Sequence, residues 1–478
     1  MAEIRTDIPQ RLDRLPWSLW HVWVVVGLGI TWILDGLEVT IVGSVGTRLQ
    51  DRIALGLSKS EVGESATAYL VGAVIGALVF GYLTDRFGRK RLFLVTLTWY
   101  LVATVLTAFS WSFGSFAFFR FLTGLGIGGE YAAINSTIDE LIPAAHRGAV
   151  DLGINGTFWF GAILGSASSL VLLNPHFVDQ HLGWRLAFAI GAVLAIAILF
   201  VRRAIPESPR WLLGHGRVEE AERVTSEIEC SVRGSRGAAP AVATGWLSLD
   251  PDRKHRIADV WHTMVRTYPK RTVVAFALMI SQAFLYNAIF FTESLVLSTF
   301  FGVPSQDVGY YIFPFAIGNL LGPLVLGPLF DRVGRRPMIA ATYGLSAILL
   351  VGTGLLFVSG RLDARSIAAC WSVVFFFASA GASSAYLTVS ETFPVEIRAM
   401  AIAIIYGIGT LVGGALAPTI FAALIATLSP ERVFDGYVGA SVLMLAAAAI
   451  ELAYGVEAAG RRLEDISAPL ASRQSYVA

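Results

Sequence analysis

Gly81-Tyr82-Leu83-Thr84-Asp85-Arg86-Phe87-Gly88-Arg89-Lys90-Arg91 recurs as Gly327-Pro328-Leu329-Phe330-Asp331-Arg332-Val333-Gly334-Arg335-Arg336-Pro337. Each copy joins two long apolar stretches, and the second lies 246 positions after the first. Glu140-x-x-Pro143-x-x-x-Arg147 returns as Glu391-x-x-Pro394-x-x-x-Arg398, at an offset of 251. Two halves of one chain thus carry the same punctuation in the same order. That is the mark of a duplicated membrane bundle, and parallel halves of this kind belong to alternating-access transport.

The composition agrees. Hydrophobic residues make up 55% of the 478, charged ones 15%, and mean hydropathy is +0.65. A soluble chain carries about a quarter charged residues. Apolar runs of some 20 residues recur at 20–47, 64–84, 91–110, 113–140, 148–173, 184–203, 271–301, 307–330, 337–359, 366–391, 398–426 and 434–456. Each is long enough to cross a hydrocarbon layer about 30 Å thick. The expected fold is an all-α membrane protein of twelve transmembrane helices in two pseudo-symmetric six-helix bundles. Its divisions are an N-terminal segment (1–19), a first bundle (20–203), a linker with short helices (204–270), a second bundle (271–456) and a tail (457–478). The two cysteines, Cys230 and Cys370, exclude a disulfide framework and have no metal-ligand neighbours. No signal peptide is expected before Pro16.

Lysine and arginine set the orientation. With the N-terminus inside, the termini and even-numbered loops hold 28 of the 36 and the odd-numbered loops 7, leaving Arg120 inside the fourth span. This positive-inside asymmetry puts both termini and the linker in the cytoplasm of a plasma-membrane protein. Arg217 to Cys230 carries charges at helical spacing and reads as a solvated helix, Ser231 to Thr244 as a flexible linker, and the tail after Gly460 as disordered.

Gly-x-Leu-x-Asp-Arg-x-Gly-Arg after the second span resembles the signature loop of the major facilitator superfamily. Pro206-Glu207-Ser208-Pro209-Arg210-Trp211-Leu212 after the sixth resembles the sugar-porter branch. Together they cover roughly residues 20–456. The resemblance implies a functional monomer moving a small solute with a proton, with no cofactor, metal, nucleic-acid partner or enzymatic activity. No Walker loop or nucleophile–base set argues otherwise.

Ionisable groups inside spans are expensive and mark function. Asp35 and Glu38 lie in span one, Arg120 and Glu130 in span four, Glu293 in span seven, and Asp151 at the start of span five. Asp35 and Arg120 lie at compatible depths and are expected to pair. Burial and a neighbouring cation pull a carboxylate's proton affinity in opposite senses, as a proton switch needs. A static pair locking two helices is the alternative, as is direct binding of an anionic solute by Arg120. By resemblance to proton-coupled sugar porters, Asp35 is the proton acceptor and Arg120 its modulator, with Glu38 one turn away able to share the proton. Asp35-Gly36-Leu37-Glu38 also keeps the spacing of the aromatic-acid symporters' Asp-Gly-Phe-Asp.

Gln282-x-x-x-x-Asn287 resembles the sugar-porter segment whose amides bind hydroxyls, and Asn155 falls where span five places another amide. The second amide position in span five is Ala162, and span ten lacks the family's Pro-rich segment with its Trp. Half of the sugar site is absent, so Phe158, Trp159, Tyr131 and Tyr386 are candidates to line a pocket for an aromatic or carboxylated solute; Glu130 is either structural or part of the central cavity, and Glu293 faces the cavity or its mouth. A sugar or polyol is the preferred substrate and an aromatic or nicotinate-like acid the alternative. A uniporter and a non-transporting nutrient sensor are the other readings. At the cytoplasmic face, Asp85, Arg89, Arg91, Glu140, Arg147, Asp331, Arg335, Arg336, Glu391 and Arg398 are expected to form latches that break on inward opening.

Overall fold

The computed structural model describes residues 4–174, 176–203, 205–234, 247–249, 257–290, 292–304 and 307–470. Among the described residues, twelve long helical segments occupy the expected places. In the first half they are α1 (Leu19–Leu49), α2 (Lys59–Phe87), α3 (Arg89–Ala108), α4 (Phe113–Leu141), α5 (Arg147–Leu172) and α6 (Gln180–Arg203). In the second, α7 (Pro269–Phe290) continues as Glu293–Phe301, followed by α8 (Val308–Arg332), α9 (Arg335–Val358) and α10 (Ala364–Thr392). Then α11 runs over Arg398–Gly409, a π-helical turn at Thr410–Gly414 and Leu416–Ala426, and α12 over Pro430–Tyr454. The 31 residues of α1 reach about 46 Å, so the longer helices project beyond the hydrocarbon. Apolar side chains such as Ile348, Leu355, Val325 and Val102 are exposed on the outside, as a lipid-facing surface requires.

Local chemistry sets the helix ends, and it repeats. At one end of the bundle α2, α4, α10 and α12 start on Ser58, Ser112, Asp363 and Ser429, each accepting a hydrogen bond from the amide three residues on. At the other end, the base that carries the linker helix Val218–Gly234, α3 and α9 start after Gly88 (φ +103°) and Gly334 (φ +117°). Only glycine adopts that backbone cheaply. A Cβ there would also run into the carboxylates of Glu207 and Glu457.

The halves pack alike. In the first, α1 lies on α5, α2 on α4 and α3 on α6; in the second, α8 lies on α10, α9 on α12 and α7 on the π turn of α11. The halves meet along α2 against α11 and α5 against α8, pairs exchanged by the pseudo-twofold axis. Close approach depends on glycine, because packing rather than the hydrophobic effect joins helices in lipid. Gly36 presses α1 onto the Phe158 carbonyl of α5, and Gly161 returns the contact at the Ile33 carbonyl. Backbone cannot give way to a new methyl, so Gly36→Val is expected to cost more than the 1–3 kcal/mol typical of overpacking. It should abolish the monodisperse peak in detergent; normal yield and melting would show that α1 and α5 are not so tightly joined.

Three expectations change at the base. The helix Val218–Gly234 is not simply solvated: Ala221, Val224, Ile228 and Val232 are buried in one cluster with Ile8, Leu12 and Trp211. The chain after Gly460 is ordered through residue 470, with a helical turn Leu463–Ile466 whose Leu463 and Ile466 are buried. A ribbon absent from the all-helical expectation pairs Ile4–Thr6 antiparallel with Leu247–Leu249, tying the N-terminal segment to the linker. The expected flexible stretch 231–244 lies outside the described residues from 235 onward.

Candidate functional site

Asp35, Glu38 and Arg120 are buried in the first half, and their pairing differs from expectation. Arg120 bonds to Glu38, not to Asp35. Depth explains the choice. Arg120 lies seven residues from the end of α4 at Phe113, while Glu38 lies eleven and Asp35 fourteen from the matching end of α1 at Leu49. Thr104 donates a further bond to Glu38 (3.3 Å). The guanidinium lies over the Tyr69 ring at 4.5 Å and near Phe188 at 6.0 Å, so the pair sits among aromatic faces that favour a cation. Asp35, 3% exposed, instead accepts hydrogen bonds from two phenols, Tyr69 (3.2 Å) and Tyr131.

Tyr131 connects Asp35 to the seam between the halves. Its ring stacks on Trp32 (centroids 4.8 Å apart) and meets Tyr406 edge-on at 5.0 Å. Tyr386 lies 6.0 Å from Trp32 and 6.3 Å from Tyr406. Helices α1, α4, α10 and α11 each contribute one ring to this cluster. Beside it Trp159 meets Tyr286, Phe290 and Phe315 at 5.4–5.9 Å, and the Tyr286 hydroxyl donates to Asn319 (2.7 Å).

The amides expected at a sugar site each donate to a near neighbour. Gln282 and Asn287 are half-buried on α7, with Asn287 bonded to its own helix at the Ala283 carbonyl (2.7 Å) and Gln282 donating to the Met279 sulfur (3.1 Å). The Asn155 amide nitrogen donates to Asp151 (3.2 Å) one turn back on α5 and to Asn135 (3.3 Å) on α4, while its oxygen has no hydrogen-bond partner among the described residues. Glu130 is buried in α4. Glu293 is buried where α7 resumes after its break, and neither carboxylate oxygen has a hydrogen-bond partner among the described residues.

At the base the doubled loops close on each other across the halves. Asp85 accepts the amides of Ala399 (3.3 Å) and Met400 (2.9 Å) at the start of α11, and Asp331 those of Gly148 (3.0 Å) and Ala149 (2.8 Å) at the start of α5. Helix N-termini favour such anions. Arg89 binds Glu140 (3.0 Å) within its half and the Val395 carbonyl (2.9 Å) in the other; Arg335 binds Glu391 (2.9 Å). Arg398 crosses to Glu140 (3.1 Å) and Arg147 to Glu391 (3.6 Å). Arg91 and Arg336 fall outside this network. Arg91 is exposed, and Arg336 bonds to the Leu452 carbonyl of its own half, because only the first arginine after each loop glycine points inward.

Several partners were not anticipated. Glu207 accepts the amide of Arg89 (2.9 Å) at the start of α3, and Glu457 that of Arg335 (2.7 Å) at the start of α9. The 250-residue offset between them was a legible third repeat. Burial pushes the Glu207 carboxyl up, while the amides of Ser208, Lys90 and Arg89 pull it back. Arg210 of the Pro-Glu-Ser-Pro-Arg stretch bonds Asp13 (2.8 Å) in the N-terminal segment, Glu464 (2.9 Å) in the tail and the Glu140 carbonyl (2.6 Å). Trp32, Tyr69 and Tyr406 had no sequence signal beyond their type.

The family model described as sugar (and other) transporter matches residues 33–469. The chain is 27% identical over 96% of its length to the niacin transporter NiaP of Acinetobacter baylyi, covering 99% of that protein. It is 28% identical to a probable 4-methylmuconolactone transporter of Cupriavidus pinatubonensis, over 80% of this chain and 79% of that one. A structure of the proton:xylose symporter XylE bound to 6-bromo-6-deoxy-D-glucose superposes with a TM-score of 0.75 at 20% identity, covering 93% of this chain and 98% of that one. With its doubled loops, its two like halves and a family match across nearly its whole length, the chain belongs to the sugar (and other) transporter family and has the major facilitator fold.

Proposed function

We propose that the protein is a proton-coupled symporter of the plasma membrane, with both termini cytoplasmic, and that its solute is a small planar organic acid or a close neutral relative rather than a sugar. The observation that carries this is the ring of Trp32, Tyr131, Tyr386 and Tyr406 at the seam between the halves, hydrogen-bonded through Tyr131 to Asp35. Flat aromatic faces with phenol rims suit a planar ring carrying a polar group. A sugar needs several free amides, and Gln282, Asn287 and Asn155 each already donate to a neighbour, namely Met279, Ala283 and Asp151. The names of the niacin and 4-methylmuconolactone relatives support the same substrate class.

Asp35 takes the proton in this reading, and the Glu38–Arg120 pair holds α1 to α4. The base contacts form the latch of the outward-facing or occluded state and separate on inward opening. Stabilisation of the purified protein by nicotinate, benzoate, gallate, xylose and glucose tests the substrate. A ligand of the folded form raises stability by mass action, about 2.7 kcal/mol at a hundredfold excess over Kd. Nicotinate or benzoate is expected to raise the melting temperature, more at low pH; a response to xylose alone would return the assignment to sugars.

A further inference from the structure

The base of the first half holds more buried acid than the latch uses. Asp139 in the last turn of α4 and Asp151 in the second turn of α5 are both fully buried. Asp139 lies 3.9 Å from the Arg147 guanidinium, and neither of its oxygens has a hydrogen-bond partner among the described residues. The nearby Ser390 hydroxyl donates to the Leu387 carbonyl. Asp151 accepts one bond, from Asn155 (3.2 Å), and its other oxygen accepts none. The charged groups within electrostatic reach of Asp139 are Arg147, Glu391 and Arg398; those within reach of Asp151 are Asp139, Glu391 and Arg335.

Those arginines are already committed. Arg335 bonds Asp331 and Glu391, Arg398 bonds Glu140, and Arg147 is divided among Asp13 (3.1 Å), Glu391 (3.6 Å) and Asp139. Two further carboxylates beside Glu391, out of water, cannot both keep their charge cheaply. A connection also runs toward the centre. Asn155 donates to Asn135 (3.3 Å), Asn135 to the Tyr131 carbonyl (2.8 Å), and the Tyr131 hydroxyl to Asp35. Tyr131, Asn135 and Asp139 are four residues apart on one face of α4. One stripe of α4 therefore bears Asp139 at the base and, through Tyr131, reaches Asp35 on α1.

We propose that Asp139 and Asp151 form a second proton-binding site, holding one proton between them, whose release draws Arg147 from Glu391 to Asp139 and loosens the latch between the halves. With the proton bound, the charge of Arg147 is spent across the seam and the base stays closed. Without it, Asp139 competes for Arg147 inside its own half, and the ionised, buried pair gains hydration only when the base opens. The proton and the closed base therefore favour each other, and by linkage a higher pH at the base shifts the population toward the open form. The proposal rests on the alternating-access reading for the sense of the motion, but not on Asp35 or on the solute.

Spin labels at Arg91→Cys and Val333→Cys, exposed base positions in opposite halves, read the opening in the full chain with Cys230→Ser and Cys370→Ser. Without solute, the ratio of long to short distances is expected to rise several-fold between about pH 6 and pH 8; one linked proton allows at most tenfold per unit. Asp139→Asn and Asp151→Asn, which keep size but remove the charge, should each flatten the response to below about twofold, while Asp35→Asn in the same background should retain it. No response in the parent, an unchanged one in both asparagine variants, or one lost only in Asp35→Asn would overturn the proposal. So would a response to sodium concentration at fixed pH. Proton-driven uptake is measured separately, so loss of the symport reading would leave these distances interpretable.

Discussion

Asp35→Asn is expected to reduce solute accumulation in energised vesicles to a ratio of one while sparing exchange of internal for external solute. The structure places Asp35 3% exposed on α1, with the hydroxyls of Tyr69 and Tyr131 donating to it. Those bonds suit a carboxylate. When a proton arrives, the Tyr131 hydroxyl loses its charged acceptor and becomes free to bond to a solute at the aromatic seam. Asparagine keeps the shape and accepts the same phenols but cannot carry a proton across. A gradient of one pH unit is worth about 1.4 kcal/mol, or tenfold accumulation for one proton. The variant should lose that whole factor, whereas exchange needs no net proton movement. Undiminished accumulation in Asp35→Asn would move the coupling site elsewhere, with Glu38 and Glu293 next in line.

Arg120→Ala should have the second large effect, chiefly through what it leaves behind. Arg120 and Glu38 are both buried, at 2% exposure each, and bonded to one another. Removing one partner of such a pair costs about 3–5 kcal/mol because the other charge stays buried without compensation. Arg120→Ala is therefore expected to lower folded yield and abolish transport. Adding Glu38→Gln should recover most of the stability, since a neutral amide does not need the guanidinium. Transport in that double variant separates two roles. Recovery of proton-driven accumulation would make the pair a brace between α1 and α4; recovery of fold without accumulation would place the pair in the coupling itself. Equal stability of Arg120→Ala and the parent would contradict the buried-pair geometry.

The contrast between Asp35 and Glu38 shows how far the residues alone could lead. Insertion cost identified both acids and Arg120 as functional candidates, and their depth along two helices made a pair plausible. One turn decided which acid received the arginine. Depth alone tolerates an error of a turn, and the azimuth of α1 relative to α4 depends on Gly36 and Gly161 seating α1 on α5. Asn155 illustrates the same limit. Its position in span five matched a sugar-binding amide, but Asp151 one turn back on its own helix and Asn135 on α4 captured the side chain. The latch was more legible because its parts are duplicated. Arg89 and Arg335 found Glu140 and Glu391 as the repeat implied, while Arg91 and Arg336 diverged because an α-helix turns about 100° per residue, which puts them about 200° and 100° away from the inward-pointing arginine.

Sequence by itself determined the membrane class, the twelve segments, the duplication, the loop glycines and the chemistry at the base, because hydrophobic length and repeated spacing are one-dimensional quantities. Tertiary structure decided which acid pairs with Arg120, which phenols reach Asp35, that four rings from four helices meet at the seam, and that Asp139 and Asp151 lie buried beyond the latch. Those outcomes depend on how helices rotate and approach one another. In lipid that is set by backbone contact at glycines and by the few polar groups that must find partners, and neither shows in the order of residues along a single helix.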